Sequence, residues 1–446
     1  MSSAKTGRDV ETPASHHRRL PMGARKQRTK PIRYSKLLWL LVALLFVCFA
    51  SILRVFQVVT VADEKHGSHL SNVLATFVQG DDGDQFCLTM ACLDMTAASI
   101  ARAFPTKPKD SWCPVLVDKT PNTTDNENDN NARGLLMVKV PKAASSTTAG
   151  VALRIQDRNR QGDRVCPIKY NHGFALAYAN RSRNDSFLWT SIRDPAKRAL
   201  SRFFFIDVSK KGFNITDKST IVGLGRTHPK FGTVSEGQGG FQTQYTSLVE
   251  IEKWSAWNES RPTDVVSPKN VIRTIKAIVD GYDFLVMVER MDESLVALAM
   301  ILGVPLEDVL ISSGSKVAGK NYFFRFRNCF KLVKPYATPT VQKFLDSTEW
   351  RAKNYGDYLL HKATNHSLDL TIESLGRERF AAKLQEYRDL KELERKLCPN
   401  AAMYPCSDRG RPQMRLARKS CYAEDFGCGY PCVDKMLRDR ANNKLS

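Results

Sequence analysis

Three short apolar runs along the chain are each followed by a stretch with helical spacing. The runs, each long enough for one buried strand, are residues 134–140, 186–192 and 282–289. In the stretches after them, apolar residues recur every three or four positions, as expected for helices that pack on one face. Strands that alternate with helices predict an α/β fold with a mainly parallel central sheet.

Acidic residues and proline mark where two of these helices begin. Asp194 and Pro195 follow the second run, which predicts an N-cap and a proline at the first helical position. Asp292 and Glu293 follow the third run and predict an acid-capped helix. Farther on, residues 371–397 have helical spacing of charged and apolar positions, and we expect one amphipathic helix that closes the domain.

The most apolar part of the chain is an uncharged run of seventeen residues, 37–53. Residues 1–36 hold ten Lys or Arg and two acidic residues, so they account for +8 of the net charge of +21. At 1.5 Å per residue the run spans about 26 Å, close to a thin bilayer. Because the basic flank comes first, the positive-inside rule predicts a type II signal anchor at residues 37–61. A cleaved signal peptide and a nuclear-localisation signal are the alternatives.

Glycosylation sequons and cysteines agree with a luminal location for the residues after the anchor. All six N-x-S/T sequons follow the apolar run; they begin at Asn122, Asn180, Asn184, Asn214, Asn258 and Asn365. Ten of the eleven cysteines also follow it, an even number that permits up to five disulfides in an oxidising compartment. A zinc site is the alternative for the five C-terminal cysteines, which lack a paired C-x-x-C.

Composition divides the chain into five predicted segments. Residues 1–36 form a basic cytosolic tail, and residues 37–61 form the transmembrane anchor. Residues 62–132 are predicted to be a luminal stem, because their polar run NTTDNENDNN cannot bury apolar surface. Residues 133–397 form the main domain, and residues 398–446 form a cysteine-rich C-terminal extension.

The turn after the first apolar run combines basic, small and hydroxyl-bearing residues. It holds Lys142, Ala143, Ala144, Ser145, Ser146, Thr147 and Thr148. Small residues let backbone N–H groups close around an anion, hydroxyls add donors, and lysine supplies a mobile positive charge. The turn therefore predicts a phosphate-binding loop, although it lacks the ending of a Walker A loop. No acidic residue at a following strand end offers a metal ligand, so we expect no metal.

The turn after the second run predicts another anion site. Arg193 leaves the end of the strand, and Ser201 lies eight residues later, about two helical turns on. Ligands in open α/β sheets bind beyond the carboxyl ends of the strands, at helix N-termini. Two such turns in one sheet predict a ligand with two separated phosphate-like groups, and the net charge of +13 outside residues 1–36 agrees with an anionic ligand.

These two turns resemble a known family. VPKAASSTT (140–148) and SIRDPAKRALSRF (191–203) are similar to the 5′- and 3′-phosphate motifs of Golgi carbohydrate sulfotransferases, whose donor is 3′-phosphoadenosine 5′-phosphosulfate (PAPS). Residues 282–310 are similar to a later strand–helix segment of the family. The likeness covers roughly residues 134–360 and is greatest to the uronyl 2-O and galactose 3-O types. It implies a P-loop-like, three-layer domain at residues 133–397, a glycan acceptor and a Golgi membrane location.

The resemblance also implies roles for individual residues. Lys142 would contact the 5′-phosphosulfate, and Arg193 and Ser201 would hold the 3′-phosphate. The loop residues Ala143 to Thr148 would line the donor site. His172, which lies between the two motifs, would be the general base that takes the proton of the acceptor hydroxyl.

Several alternatives remain open at the level of sequence. Glu289 and Glu293 are other possible bases, and Gln242 and Tyr245 follow a glycine-rich loop where they either touch the acceptor sugar or lie in a plain loop. A basic stretch with aromatic residues holds Lys316, Lys320, Arg325 and Arg327. Its alternative roles are to close over the adenine side of the donor, to bind an anionic glycan or to form a solvated basic face. A luminal kinase and a non-catalytic glycosylated binding ectodomain are the rival functions. A luminal location disfavours nucleic acid as a partner.

Overall fold

The structure is a computed structural model. It describes residues 77–79, 85–87, 90–113, 132–159, 166–224, 240–249, 268–311, 322–325, 328–399, 406–407, 409–413, 425 and 429–442. The predicted anchor, the basic tail and the polar run 122–131 lie outside these residues, as do Lys316, Lys320 and Arg327. No helix among the described residues has both the length and the apolar character that crossing a membrane requires.

A four-stranded parallel sheet organises the described residues. The strands in chain order are β1 (Phe77–Gln79), β2 (Gln85–Cys87), β3 (Gly134–Val138), β4 (Ile168–Asn171), β5 (Ser186–Ile192), β6 (Phe284–Met287), β7 (Tyr322–Arg325) and β8 (Asn328–Lys331). The parallel sheet has the order β4-β3-β5-β6, and the other strands form the antiparallel pairs β1-β2 and β7-β8. All residues of β3, β5 and β6 are buried, which explains their uninterrupted apolar sequences. The predicted mixed α/β fold with a mainly parallel sheet is confirmed.

Helices connect and cover these strands. They are α1 (Met90–Ile100), α2 (Lys109–Trp112), α3 (Ser145–Asn159), α4 (Pro195–Phe203), α5 (Asp217–Leu224), α6 (Phe241–Thr246), α7 (Pro268–Gly281), α8 (Met291–Leu302), α9 (Pro339–Leu345), α10 (Thr348–Lys353), α11 (Tyr355–Leu375), α12 (Arg377–Leu397) and α13 (Tyr430–Ala441). A π-helical segment, Phe204–Lys210, continues α4. Helix α3 contacts β3, β4 and β5, whereas α11 contacts β5, β6, α1 and α7.

Two helix boundaries differ from the sequence prediction. Helix α8 begins with Arg290 as its N-cap residue and no side-chain cap. Asp292 and Glu293 lie inside its first turn, where Asp292 accepts a hydrogen bond from Lys391 at 2.6 Å and Glu293 pairs with Arg290. The single helix predicted at residues 371–397 is wrong, because Gly376, with φ of 86°, ends α11 and separates it from α12.

Parts of the predicted stem and of the C-terminal extension belong to the same core as the sheet. Trp112 and Phe104 are buried in that core, and so are Tyr430, Val433 and Met436 of α13. In the described part of the chain, cysteine pairs stand at disulfide distance, which confirms the expected disulfides: Cys113–Cys166, Cys329–Cys406 and Cys398–Cys432. The last two tie the C-terminal extension to β8 and to the end of α12.

Candidate functional site

The carboxyl ends of all four parallel strands meet at one edge of the sheet. Val138 of β3 pairs with Asn171 of β4 and with Thr190 of β5, and Ile192 of β5 pairs with Met287 of β6. The residues that follow the strand ends are His172, Lys142, Arg193 and Glu289, in the spatial order of β4, β3, β5 and β6. The chain leaves β3 toward β4 on one side and β5 toward β6 on the other. Lys142 and Arg193 therefore flank the crevice where ligands bind in open α/β sheets.

The turn after β3 has an unusual backbone. Lys142 and Ala144 adopt the left-handed region, with φ of 68° and 56°, and they are the only described residues other than glycine with positive φ. Such a conformation costs about 1–2 kcal/mol for a residue with a side chain. The Ser191 hydroxyl of β5 donates a hydrogen bond to the Ala143 carbonyl and so holds the turn against the end of β5. Alternating backbone conformations of this kind direct successive N–H groups toward one anion.

The hydroxyl residues of the first motif lie in the first turn of α3 and not in a loop. Thr148 is buried and its hydroxyl donates back to the carbonyl oxygens of Ala144 and Ser145, both at 3.3 Å. Ser145 is also buried, whereas Ser146 and Thr147 are half-buried at the site edge. The N–H groups of Thr147 and Thr148 donate to the Ala144 carbonyl at 2.9 and 3.1 Å, and the positive end of the helix dipole favours an anion at the start of α3.

Lys142 lies in a positively charged environment. Its ammonium nitrogen is 3.9 Å from the centroid of the Phe205 ring, and the ammonium nitrogen of Lys210 is 4.3 Å from the same centroid. Burial lowers the pKa of Lys142 to about 8, and the nearby charges of Arg193 and Lys210 contribute to the shift. An anion that binds between these groups would reverse that shift, because it favours the protonated lysine.

Arg193 is joined directly to the first turn. Its Nη1 donates a hydrogen bond to the Lys142 carbonyl at 3.1 Å. Its Nε is buried and has no hydrogen-bond partner among the described residues. Burial lowers the pKa of Arg193, against the charges of Glu289 and Asp194, yet a guanidinium stays protonated. A buried, unsatisfied guanidinium donor beside a lysine is an arrangement that an anionic ligand would complete.

Hydrogen bonds from other elements fix the backbone of Arg193. The Gln242 side chain accepts from the Arg193 N–H at 2.8 Å and donates to the Arg193 carbonyl at 2.7 Å. The Asp194 side chain accepts from the Lys197 N–H at 2.8 Å, as the sequence predicts for an N-cap. Glu289 accepts from the Asp194 N–H at 3.2 Å. Gln242 lies on helix α6 and not in a loop. We therefore interpret Gln242 as a support for the Arg193 backbone and not as a contact to the acceptor sugar.

Gln242→Leu is expected to misplace Arg193, because leucine has a similar size but leaves the Arg193 N–H and carbonyl without their partners. We expect affinity for inorganic pyrophosphate to fall about tenfold and the protein to lose about 1–3 kcal/mol of stability. Calorimetric titration and urea unfolding measure the two effects. Gln385→Leu is the matched control, because Gln385 is exposed on α12 and its side chain donates to Asp389, at 2.8 Å. Equal affinities in wild type and Gln242→Leu would contradict the assigned role.

A buried carboxylate holds α6 in place. Asp357, in the first turn of α11, accepts hydrogen bonds from the Gln242 N–H at 3.0 Å and the Thr243 N–H at 2.8 Å. Burial raises the pKa of Asp357, and the charge of Arg198 opposes this shift. Gly240 precedes α6 with φ of 107°, and a Cβ there would stand 2.4 Å from the Asp357 carboxyl group. The carboxylate of one helix thus serves as the N-terminal cap of another.

His172 is exposed directly after β4, a strand that the sequence did not predict. Its Nδ1 lies 2.9 Å from the Lys139 carbonyl oxygen. A carbonyl only accepts, so Nδ1 carries the proton and the lone pair of the neutral ring is on Nε2. Tyr245 of α6 donates its hydroxyl to the His172 carbonyl at 2.8 Å, so Tyr245 supports the backbone of His172. Lys139 forms an ion pair with Asp425 of the C-terminal extension.

The remaining predicted site residues are Ser201, Glu289 and Glu293. Ser201 is on α4, about 9 Å along the helix from Pro195, and no hydrogen bond joins its hydroxyl to Arg193 in the described part of the chain. Glu289 contacts His361 Nε2 at 3.4 Å. Burial alone would raise the pKa of Glu289. The interactions with His361 and with the Asp194 N–H outweigh burial, so the pKa of Glu289 is lowered. Glu293 lies against Arg290.

Sequence reasoning missed Phe205, Lys210 and Asp357, although a basic residue after the second motif was visible in the sequence.

Among the described residues, no group of three or more His, Cys, Asp or Glu is arranged to hold a metal ion. No protein-family model, no curated protein and no solved structure matches this chain.

Proposed function

We propose that this chain is a PAPS-dependent carbohydrate sulfotransferase with its active site at the carboxyl edge of the parallel sheet. One observation carries the proposal: His172, Lys142 and Arg193 follow three adjacent strands of this edge, and Arg193 donates a hydrogen bond to the Lys142 carbonyl at 3.1 Å. A base and two cations side by side suit the transfer of an anionic group to a hydroxyl. The two sequence motifs resemble the phosphate motifs of the Golgi enzymes, and this resemblance is the reason for proposing PAPS as the donor.

The donor fits the groups present. The left-handed turn and the first turn of α3 offer N–H groups to the 5′-phosphosulfate, and Lys142 supplies a positive charge beside them. The Arg193 guanidinium, whose Nε has no hydrogen-bond partner among the described residues, would donate to a second anionic group. The family resemblance assigns the 3′-phosphate to Arg193 and Ser201, and Ser201 lies two turns into α4, so that phosphate would lie along the helix.

The proposed reaction is an in-line transfer. The oxygen of an acceptor hydroxyl forms a bond to sulfur while the bond from sulfur to the phosphate oxygen breaks. The proton of the hydroxyl goes to Nε2 of His172, and the electron pair of the broken bond stays on the leaving phosphate. Lys142 stabilises the charge that grows there. His172 and Lys142 follow the neighbouring strands β4 and β3, so in the proposed reaction they flank one sulfuryl group.

The proposal includes a P-loop-like three-layer domain, a type II anchor at residues 37–61, a Golgi location and a glycan acceptor. The contacts of α3 and α11 with the sheet support the layers, and the disulfides support an oxidising compartment. Transfer of labelled sulfate from PAPS to a panel of glycans by the full-length chain tests the activity. Failure to bind adenosine 3′,5′-bisphosphate would exclude PAPS as the donor.

His172→Ala is expected to slow transfer by about 10²–10⁴-fold, because the acceptor hydroxyl loses its base. The affinity for adenosine 3′,5′-bisphosphate should stay the same, since His172 would not contact the donor phosphates. Single-turnover rates and calorimetric titration separate the two effects. His366→Ala is the control, because His366 contacts Asp94 at 3.2 Å and lies on α11. Full activity of His172→Ala would move the base elsewhere, with Glu289 tested next.

A further inference from the structure

The ammonium groups of two lysines, Lys142 and Lys210, contact the same aromatic ring, that of Phe205. The ammonium nitrogens of Lys142 and Lys210 lie 3.9 and 4.3 Å from the centroid of the Phe205 ring. The two nitrogens are therefore no farther apart than the sum of these distances. Like charges repel at this separation: burial is the main cause of the lowered pKa of Lys142, followed by the charge of Arg193 and then that of Lys210. Two ammonium groups held together beside an anion-binding turn call for a ligand with more than one negative charge.

The fold fixes Lys210 in this position. The π-helical segment Phe204–Lys210 continues α4, and Ser209 within it donates to the Phe204 carbonyl at 2.7 Å. The same hydroxyl accepts from the Val333 N–H at 3.0 Å, which ties the segment to the residues after β8. Residues five apart fall on one face of a π-helix, so Phe205 and Lys210 meet. Such π-helical segments are frequent at functional sites.

We propose that Lys210 is a second binding residue for the donor, and that Lys210 and Lys142 together hold its phosphosulfate through the spacing set by Phe205. A phosphosulfate or a diphosphate carries charge on two linked groups, and each ammonium can donate to one of them. The identity of the donor rests on the proposed function. The pairing of two lysines on one doubly charged anion rests on the geometry around Phe205.

The test compares neighbouring lysines in the full-length chain. Lys210→Met should weaken the binding of PAPS and of inorganic pyrophosphate by about tenfold or more, and Lys210→Arg should restore most of it. Lys211→Met is the matched control, because Lys211 is 46% exposed and pairs with Asp207 at 2.9 Å; its effect should stay within about twofold. Phe205→Leu removes the aromatic ring and should weaken the binding of PAPS and of inorganic pyrophosphate by about threefold or more.

A measurement without ligand shows that the variant acts on the site and not on the fold. The pH dependence of Lys142 acetylation, followed by mass spectrometry, reports the pKa of Lys142. That pKa should rise above about 8 in Lys210→Met, since a repelling charge is gone, and stay unchanged in Lys211→Met. An unchanged pKa of Lys142 in Lys210→Met would show that the two ammonium groups do not lie together in solution.

The outcomes separate this proposal from the proposed function. If pyrophosphate binds through Lys210 but PAPS does not bind, the donor assignment is wrong and the lysine pairing stands. If Lys210→Met binds both ligands within about twofold of wild type, the pairing is overturned and the donor assignment stands. If wild type binds neither ligand, both are overturned.

Discussion

Lys142→Ala is expected to lower the rate of sulfuryl transfer by about 10²–10³-fold, the usual cost of removing one group that stabilises a developing negative charge. The lysine is the charged residue of the turn after β3, and the Arg193 side chain is fixed to its carbonyl and not to its ammonium group. The substitution therefore removes the charge and leaves the contact between the two turns. Single-turnover transfer of labelled sulfate from PAPS measures the effect. Lys169→Ala is the control, because Lys169 is exposed on β4.

Lys142→Gly separates catalysis from folding at the same position. The left-handed conformation of Lys142, with φ of 68°, costs about 1–2 kcal/mol with a side chain and nothing for glycine. Glycine loses about 0.5–1 kcal/mol through the flexibility of the unfolded chain. The variant should be at least as stable as wild type in urea unfolding and as inactive as Lys142→Ala. An active Lys142→Gly would show that the ammonium group is dispensable.

The pH dependence of wild type supplies a further check on the same residue. Burial and the charges of Arg193 and Lys210 lower the pKa of Lys142 to about 8 in the protein without ligand. Only the protonated lysine attracts the donor, so kcat/KM for PAPS should fall as the pH rises through about 8. In Lys142→Ala this descending limb should disappear.

The sequence predicted the central strands and the two turns because their signals are local. Strands β3, β5 and β6 are buried on both faces, so they read as continuous apolar runs, and Asp194 with Pro195 marks the start of α4 directly. Strand β4 was missed because it is a four-residue edge strand, IKYN, with polar residues at two positions. That strand places His172 on the same edge as Lys142.

The side chains around the two turns could not be predicted, because they depend on irregular or distant structure. In an α-helix, residues 205 and 210 would point about 140° apart around the helix axis. The π-helical segment instead puts Phe205 and Lys210 on one face. Gln242 looks like a loop residue after a glycine-rich stretch. It is helical because Asp357, 115 residues later, caps α6. Periodicity in the sequence carries no information about either contact.

Asp357→Ala is expected to lower the free energy of unfolding by about 3–5 kcal/mol, the range for removing one partner of a buried charged network. The carboxylate is fully buried and accepts from two N–H groups of α6 and from the Thr243 hydroxyl at 3.0 Å. Its loss leaves these donors unsatisfied and removes the negative charge that Asp357 places near the buried Arg198. Urea unfolding measures the change.

The same substitution should also damage the site from a distance. Helix α6 carries Gln242, whose side chain fixes both backbone polar groups of Arg193, so a loosened α6 displaces the guanidinium. Affinity for adenosine 3′,5′-bisphosphate should fall about tenfold in the folded variant. Asp357→Asn keeps one acceptor oxygen and should give smaller losses of both stability and affinity. Asp369→Ala is the control on the same helix, because Asp369 is 50% exposed and should cost below about 1 kcal/mol. A loss of stability in Asp357→Ala no larger than in Asp369→Ala would show that α6 is held by its apolar contacts and not by this carboxylate.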